Sequence, residues 1–255
     1  GIEAHTQKIN ITLIDPQAEP LRAEQDKITV KYGTLIVESR EHQERIEYGI
    51  SEETLINTIT QVNSGTTHLI CFSTGLDEIP LLDPYSKESM GIIHQSLTAQ
   101  NYETKLVSWL DTDIPGDCEV FISAGARQDI PVSNTPKIQR FLEQGGHVFL
   151  LIDPIHHLEF AQSLRSFGLE LLDDFILEQN PKYQIQGGDP SFVILDQESF
   201  ASHPMFQMSN QTLLLQGLRS VQSIPLDSDS ISSEELAHTS RNSWAESSYL
   251  DQNIS

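Results

Sequence analysis

The amino-acid sequence predicts an α/β protein built on a Rossmann- or flavodoxin-like parallel sheet, with additional β-rich parts toward its N-terminal and C-terminal ends. Three observations carry this. Phe141-Leu142-Glu143-Gln144 ends an amphipathic helix, and Gly145-Gly146 stops it. A glycine past the last turn supplies the left-handed residue that closes a helix. The run Val148 to Ile152 is then a continuous apolar strand that delivers Asp153 at its C-terminal tip. A strand apolar on both faces is expected where helices cover both sides of a parallel sheet. Short apolar strands also alternate with helical patterns between residues 68 and 168, the order of βαβ units, whose crossovers are almost always right-handed.

The elements divide into three sections. In residues 1–50 alternation replaces the helical period. Ile9, Ile11 and Leu13 share one face of an expected strand, while Ile28 and Val30 with Leu35 and Val37 flank Tyr32-Gly33 as an expected hairpin. Residues 51–178 form the expected α/β domain. Ser51-Glu52-Glu53 opens a helix, because a hydroxyl caps the first free N–H groups and acids favour the positive end of the dipole. Leu55, Ile56, Ile59 and Val62 form its apolar face, and Asn63-Ser64-Gly65 ends it. A strand from His68 to Ser73 breaks at Thr74-Gly75, and Met90, Ile93 and Leu97 recur at helix spacing. Strands follow at Lys105 to Leu110 and Glu119 to Ala124. Thr135-Pro136 opens the next helix, since proline suits a first turn where no N–H is needed, and Ile138, Phe141 and Leu142 face inward. Leu158, Ala161, Leu164 and Phe167 make a further helix closed by Gly168. Candidate strands at Leu169 to Leu172, Phe175 to Leu177, Phe192 to Leu195 and Leu213 to Leu215 follow. Residues 179–255 are mixed and less regular, with an acidic loop near 227–235 expected to be mobile.

Composition narrows the function classes. The 255 residues with 38% hydrophobic content can bury a core. A formal net charge of -22 repels phosphate backbones and anionic lipid headgroups, so nucleic acid is excluded as a natural partner. No apolar run approaches the roughly 20 residues that cross a bilayer, and a start at Gly1 without an initiator Met is expected of a piece of a longer chain. Cys71 and Cys118 lack metal-ligand spacing. Each sits at an apolar strand, out of register across adjacent parallel strands, so both are expected as buried, unpaired thiols.

Catalytic patterns are missing. No glycine precedes a lysine, so no phosphate-cradling P-loop can form, and Ser73-Thr74-Gly75-Leu76-Asp77-Glu78 does not supply G-x-G-x-x-G. Ser123-Ala124-Gly125 lacks the flanking glycine of a nucleophile elbow. Asp153 with His156 and His157 suits either a metal or acid/base site or a strand-end carboxylate capping the next helix. No third ligand accompanies them, so the expectation is no metal, no cofactor and no catalytic residue.

Several short motifs occur in one order: Asp15-Pro16 with Glu19-Pro20, Ser51 to Asn57, Thr74-Gly75, Ile114-Pro115, Gly145-Gly146 through Asp153-Pro154 and Phe167-Gly168. Gly188-Asp189-Pro190, His203-Pro204, Arg219-Ser220-Val221 and Ser243-Trp244-Ala245-Glu246 continue it. The series resembles the extracytoplasmic region of the gliding-motility-type auxiliary proteins of bacterial ABC transporters. The resemblance covers most of the chain. It implies a membrane protein anchored through segments outside this sequence, with its soluble region on the periplasmic face of the inner membrane beside a separate ATPase and permease. It also implies an α/β domain distantly similar to class I glutamine amidotransferases and to a domain of intraflagellar-transport proteins. Many relatives carry Thr-Gly-His-Gly-Glu after the first α/β strand, where this chain reads Thr74-Gly75-Leu76-Asp77-Glu78.

The expected function is therefore a non-enzymatic periplasmic module that helps a transporter engage substrate, envelope component or partner protein. The alternative is a degenerate or unrecognised hydrolase of the amidotransferase-like layer. In open parallel sheets ligands gather at the carboxyl ends of the strands. The candidate binding crevice thus comprises Thr74, Gly75, Asp77, Glu78, Gly125, Arg127, Asp153, His156 and His157. Its charge suits a polar small molecule, a glycan or a cationic target better than a phosphate.

Overall fold

The computed structural model describes residues 9–28, 33–39, 42–47, 50–64, 68–82, 89–154, 158–185, 188–203, 206, 212–226 and 231–248. The chain divides into two compact units, Gly1–Thr67 with Ala99–Asn101 and His68–Thr98 with Tyr102–Ser255.

In the first unit, helix α1 (Pro20–Gln25) is followed by strands β1 (Leu35–Ser39) and β2 (His42–Ile46), which pair antiparallel with Leu35 opposite Ile46. Helix α2 (Glu52–Ser64) packs against both strands. Its start is the expected one: Ser51 Oγ accepts from Thr54 N at 3.1 Å, and Thr54 Oγ1 accepts from Ser51 N at 2.8 Å, a reciprocal cap. Val62 is buried on its inner side, but Ile56 is 51% exposed and Thr58 takes the buried place. The expected strand at Ile9 to Leu13 does not form, and Ile11 and Leu13 are exposed. Alternation makes a strand only where a partner accepts its backbone. The expected strand around Val30 and its turn at Tyr32 lie outside the described residues; β1 pairs with β2, whose polar sequence concealed it.

The second unit is mixed α/β. Its centre is a four-stranded parallel sheet of β3 (His68–Thr74), β4 (Tyr102–Ser108), β5 (Val120–Ala124) and β6 (His147–Leu151), in the order β4-β3-β5-β6. These are the first four positions of the 2-1-3-4-5 order of flavodoxin-like sheets, consistent with a Rossmann-like layer. Helices α4 (Thr135–Glu143) and α5 (Leu158–Ser163) lie on one face. There Cys71, Val107 and Phe121 of the strands meet Ile138, Phe141, Phe160 and Leu164. On the other face α3 (Gly91–Ala99) brings Leu97 against Ile70, Phe72, Val120 and Ile122.

Gly145 ends α4 with φ +89°, and a Cβ on Gly146 would collide with the Phe141 ring, so both glycines of the stop are required. Leu142, expected inward, is 38% exposed. α5 continues as a 3-10 turn, Leu164–Phe167, closed by Gly168 in the left-handed region, as its pattern predicts. Whether Asp153 caps α5 falls on residues 155–157, outside the described residues.

Two further expectations are corrected. The strand after Gly145-Gly146 is not covered on both faces: Val148 and Leu150 are half-buried, while Phe149 is 53% and Leu151 49% exposed. Among the described residues β6 is an edge strand, and the cluster under α3 spans β4, β3 and β5 without reaching it. Second, Cys71 and Cys118 are not free thiols but a disulfide, with Cα atoms 5.8 Å apart. The register argument assumed that Cys118 continues the strand. It lies instead in a turn, with its N–H bonded to Pro115 O at 3.2 Å, and the ladder begins only beyond it, where Glu119 N donates to Leu69 O. That turn folds Cys118 back over the sheet to Cys71.

Beyond α5 the strands form antiparallel ribbons: β7 (Leu169–Leu171) with β11 (Val221–Ser223), β8 (Phe175–Leu177) with β12 (Trp244–Glu246), and β9 (Phe192–Leu195) with β10 (Leu213–Gln216). The four candidate strands predicted here all form. Val221-Gln222-Ser223 and Trp244-Ala245-Glu246 were too short and polar to stand out. Of the acidic loop, residues 227–230 lie outside the described residues and 231–236 form no regular element.

After β9, Asp196 accepts from Glu198 N at 3.0 Å, and Lys182 Nζ reaches Asp196 Oδ2 at 3.1 Å and Glu198 Oε2 at 2.6 Å. Hydrogen bonds from Lys182 and then Tyr183 hold the Glu198 carboxyl below its ordinary range. For Asp196, desolvation raises the pKa, but Lys182 and the Glu198 N–H outweigh it and the net shift is downward. Both carboxylates therefore bind protons less readily in the folded chain. Their contribution to stability is present above the ordinary carboxylate range of about 4 and is lost as pH falls below it. In thermal melts from neutral to acid pH, Lys182→Met is expected to melt below the parent at neutral pH and to converge with it in acid; a constant gap would show that these pairs do not drive the acid limb.

Candidate functional site

The strand order reverses between β3 and β5, because the chain leaves β3 toward β4 on one side and β5 toward β6 on the other. The carboxyl ends of β3 and β5 thus flank the place where doubly wound sheets open a crevice. The sequence assigns the Thr74 to Glu78 and Gly125 to Arg127 loops to this place, and the structure brings them together.

They meet closely. Leu76 O accepts from both Arg127 N and Gln128 N at 3.0 Å, and Ile79 N donates to Ala124 O at 3.3 Å. Leu76 is only 4% exposed and belongs to the main apolar cluster. Gly125 has φ +60°, and a Cβ there would lie 2.6 Å from Ile79 Cγ1. Two apolar side chains and a set of backbone hydrogen bonds therefore fill the switch point. Below it, Ser73 Oγ donates to Ser123 Oγ at 3.0 Å, and both side chains are buried, so the strand-end serines satisfy each other rather than a ligand.

The polar residues stand around this plug. Asp77 is exposed with φ +58°. Glu78 turns back on its own loop, its Oε2 accepting from Leu76 N at 2.7 Å. Arg127 is exposed. Thr74, Asp77, Glu78, Leu82 and Leu106 border a shallow open depression of about 430 Å³ beside the plug, on the β4 side. Asp153 is exposed on the β6 side, where Gly125 N meets Leu151 O at 3.4 Å. His156 and His157 lie outside the described residues.

Sequence reasoning missed Leu76, Ile79 and Arg219. The first two signalled themselves as apolar residues in an otherwise acidic loop. Arg219 is buried, donates from Nε and Nη2 to Leu172 O at 2.9 and 2.7 Å, and reaches Asp153 O from Nη1 at 3.2 Å. It fixes the backbone beside the Asp153 carboxylate. Among the described residues no group of three or more His, Cys, Asp or Glu side chains is arranged to hold a metal ion.

Because Gly125 combines a left-handed φ with the Ile79 contact, Gly125→Ala is expected to cost about 2 kcal/mol of stability in urea unfolding. An unchanged midpoint would mean that the two loops do not pack as described.

No protein-family model matches the chain, and no curated protein does. Among solved structures, the mmIFT52 N-terminal domain is similar, with 12% sequence identity and a TM-score of 0.48 over 61% of this chain and 68% of that one.

Proposed function

We propose that this chain is a non-enzymatic, extracytoplasmic module of a membrane-anchored ABC-transporter auxiliary protein of the gliding-motility type. Its sheet then corresponds to an amidotransferase-like layer that has lost its chemistry. In this reading it stands on the periplasmic face of the inner membrane beside a separate permease and ATPase, and engages a polar small molecule, a glycan or a partner protein.

The observation that carries the reading is the Cys71–Cys118 bond. Disulfides persist in oxidising compartments and are rare in the cytosol. The same bond occupies the two cysteines of the chain, leaving neither as a thiolate for acyl transfer. The closed switch point supports the same conclusion, since Leu76 and Ile79 stand where a substrate would meet the strand ends.

The test is made on the full-length protein in its own membranes. Alkylation of intact cells before and after reduction is expected to find both thiols protected until reductant is added, and mild detergent extraction to recover an ATPase and a permease with the protein. Reduced thiols in a cytosolic fraction would overturn the placement. Glutamine hydrolysis by the pure protein would favour the hydrolase alternative.

A further inference from the structure

We propose that the free edge of β6 is a docking surface for an extended segment of a partner protein, apolar at alternate positions and basic at its ends, which adds to the sheet as a fifth strand. The topology leaves this position open. α5 carries the chain on from β6 as a crossover helix should, yet the strand it delivers, β7, pairs antiparallel with β11, and among the described residues β6 pairs with β5 alone. His147 N donates to Glu119 O and Leu151 O accepts from Gly125 N, so His147, Phe149 and Leu151 direct their backbone groups toward β5. In a parallel ladder the alternate residues, Val148 and Leu150, turn theirs outward.

The two edges of the sheet differ in how they are guarded. β4 carries the exposed charges Glu103 and Lys105, and Lys105 also pairs with Asp117 at 3.5 Å. Such charges block edge pairing. His147-Val148-Phe149-Leu150-Leu151 has no lysine, acid or proline, and it exposes Phe149 and Leu151 on the face that α3 leaves bare. An added strand would cover both side chains while pairing the outward groups of Val148 and Leu150.

Charge selects the occupant. Exposed Glu143 precedes the start of β6, and exposed Asp153 follows its end, whereas the Glu119 carboxylate is held on the far side of β5 by His68 of β3. In an antiparallel pairing with a second copy, the acidic end of each strand would face the acidic end of the other, in chains of formal net charge -22. Basic residues flanking an apolar strand complement both ends.

The probe is the fluorescein-labelled peptide KKVTVTVKK, followed by anisotropy and by hydrogen exchange of the protein. Saturable binding is expected, with the Val148 and Leu150 amides slowed in the complex. Affinity is expected to drop at least about tenfold for KKVTPTVKK, for EEVTVTVEE and for the protein variants Phe149→Lys and Leu151→Lys, while Leu214→Lys on exposed β10 leaves it unchanged. Each variant is compared at an unfolding midpoint equal to the parent's, and the exchange measurement on the parent protein decides the matter if none qualifies. Absence of binding, equal binding of the proline peptide, or unslowed Val148 and Leu150 amides would overturn the proposal. So would a dimer in sedimentation that dissociates on Phe149→Lys, which would give the edge to a second copy.

Discussion

Replacing Cys71 and Cys118 together by alanine is expected to lower the unfolding free energy of the α/β unit by about 4 kcal/mol in urea. The bond closes a loop over a sequence separation of 47 residues, and in the chain-entropy account a loop of that length removes this much freedom from the unfolded state. The native contacts add less to the cost, because each substitution removes only one sulfur atom from the main apolar cluster with Phe121 and Trp109. Reduction of the parent protein should reproduce the loss, and the double variant should no longer respond to reductant. An equal midpoint with and without reductant would show that the bond contributes nothing to stability.

The disulfide also marks where the sequence stops being readable. Helices and strands with a strong local period could be read directly: Thr135-Pro136 and Gly145-Gly146 bracket α4, and Phe167-Gly168 closes the turn after α5. The alternation of these elements was enough for the parallel layer. What it could not supply was lateral position. Nothing in His147 to Leu151 says that this strand is an edge, so its apolar residues read as buried on both sides. Cys118 likewise reads with the strand that follows it although Pro115-Gly116 is a turn signal, because the local sequence does not state that the turn sets Cys118 within reach of Cys71 on β3.

The candidate site divides in the same way. The loops at the ends of β3 and β5 were legible from topology, since any doubly wound sheet gathers them at one edge. Their mutual closure was not, because it depends on Leu76 and Ile79 finding partners some fifty residues away, at Arg127, Gln128, Ala124 and Gly125. A sheet whose switch point is filled and whose described β6 edge is uncharged offers, under the docking proposal above, a strand edge beside a closed crevice. Concave crevices suit small ligands, whereas open strand edges suit extended chains.

The core beneath that site yields the other large expected effect. Trp109 is fully buried, its ring centroid 5.0 Å from that of Phe121 and 6.1 Å from that of Phe160 in an edge-on arrangement. It therefore joins the end of β4 to β5 and to α5, and Lys137 of α4 donates to its carbonyl at 2.5 Å. Trp109→Ala is expected to cost about 3–5 kcal/mol, the range for removing a large buried aromatic side chain. The indole N–H sets up a more discriminating comparison. It is buried without a hydrogen-bond partner among the described residues, a state that costs about 1–3 kcal/mol. Trp109→Phe removes that donor while keeping an aromatic ring against Phe121 and Phe160, so the relief offsets most of the lost volume. Its unfolding free energy is expected to lie within about 1 kcal/mol of the parent's. If the phenylalanine variant instead loses as much as the alanine one, the indole N–H has a partner in solution, and Trp109 is held there by a hydrogen bond rather than by packing alone.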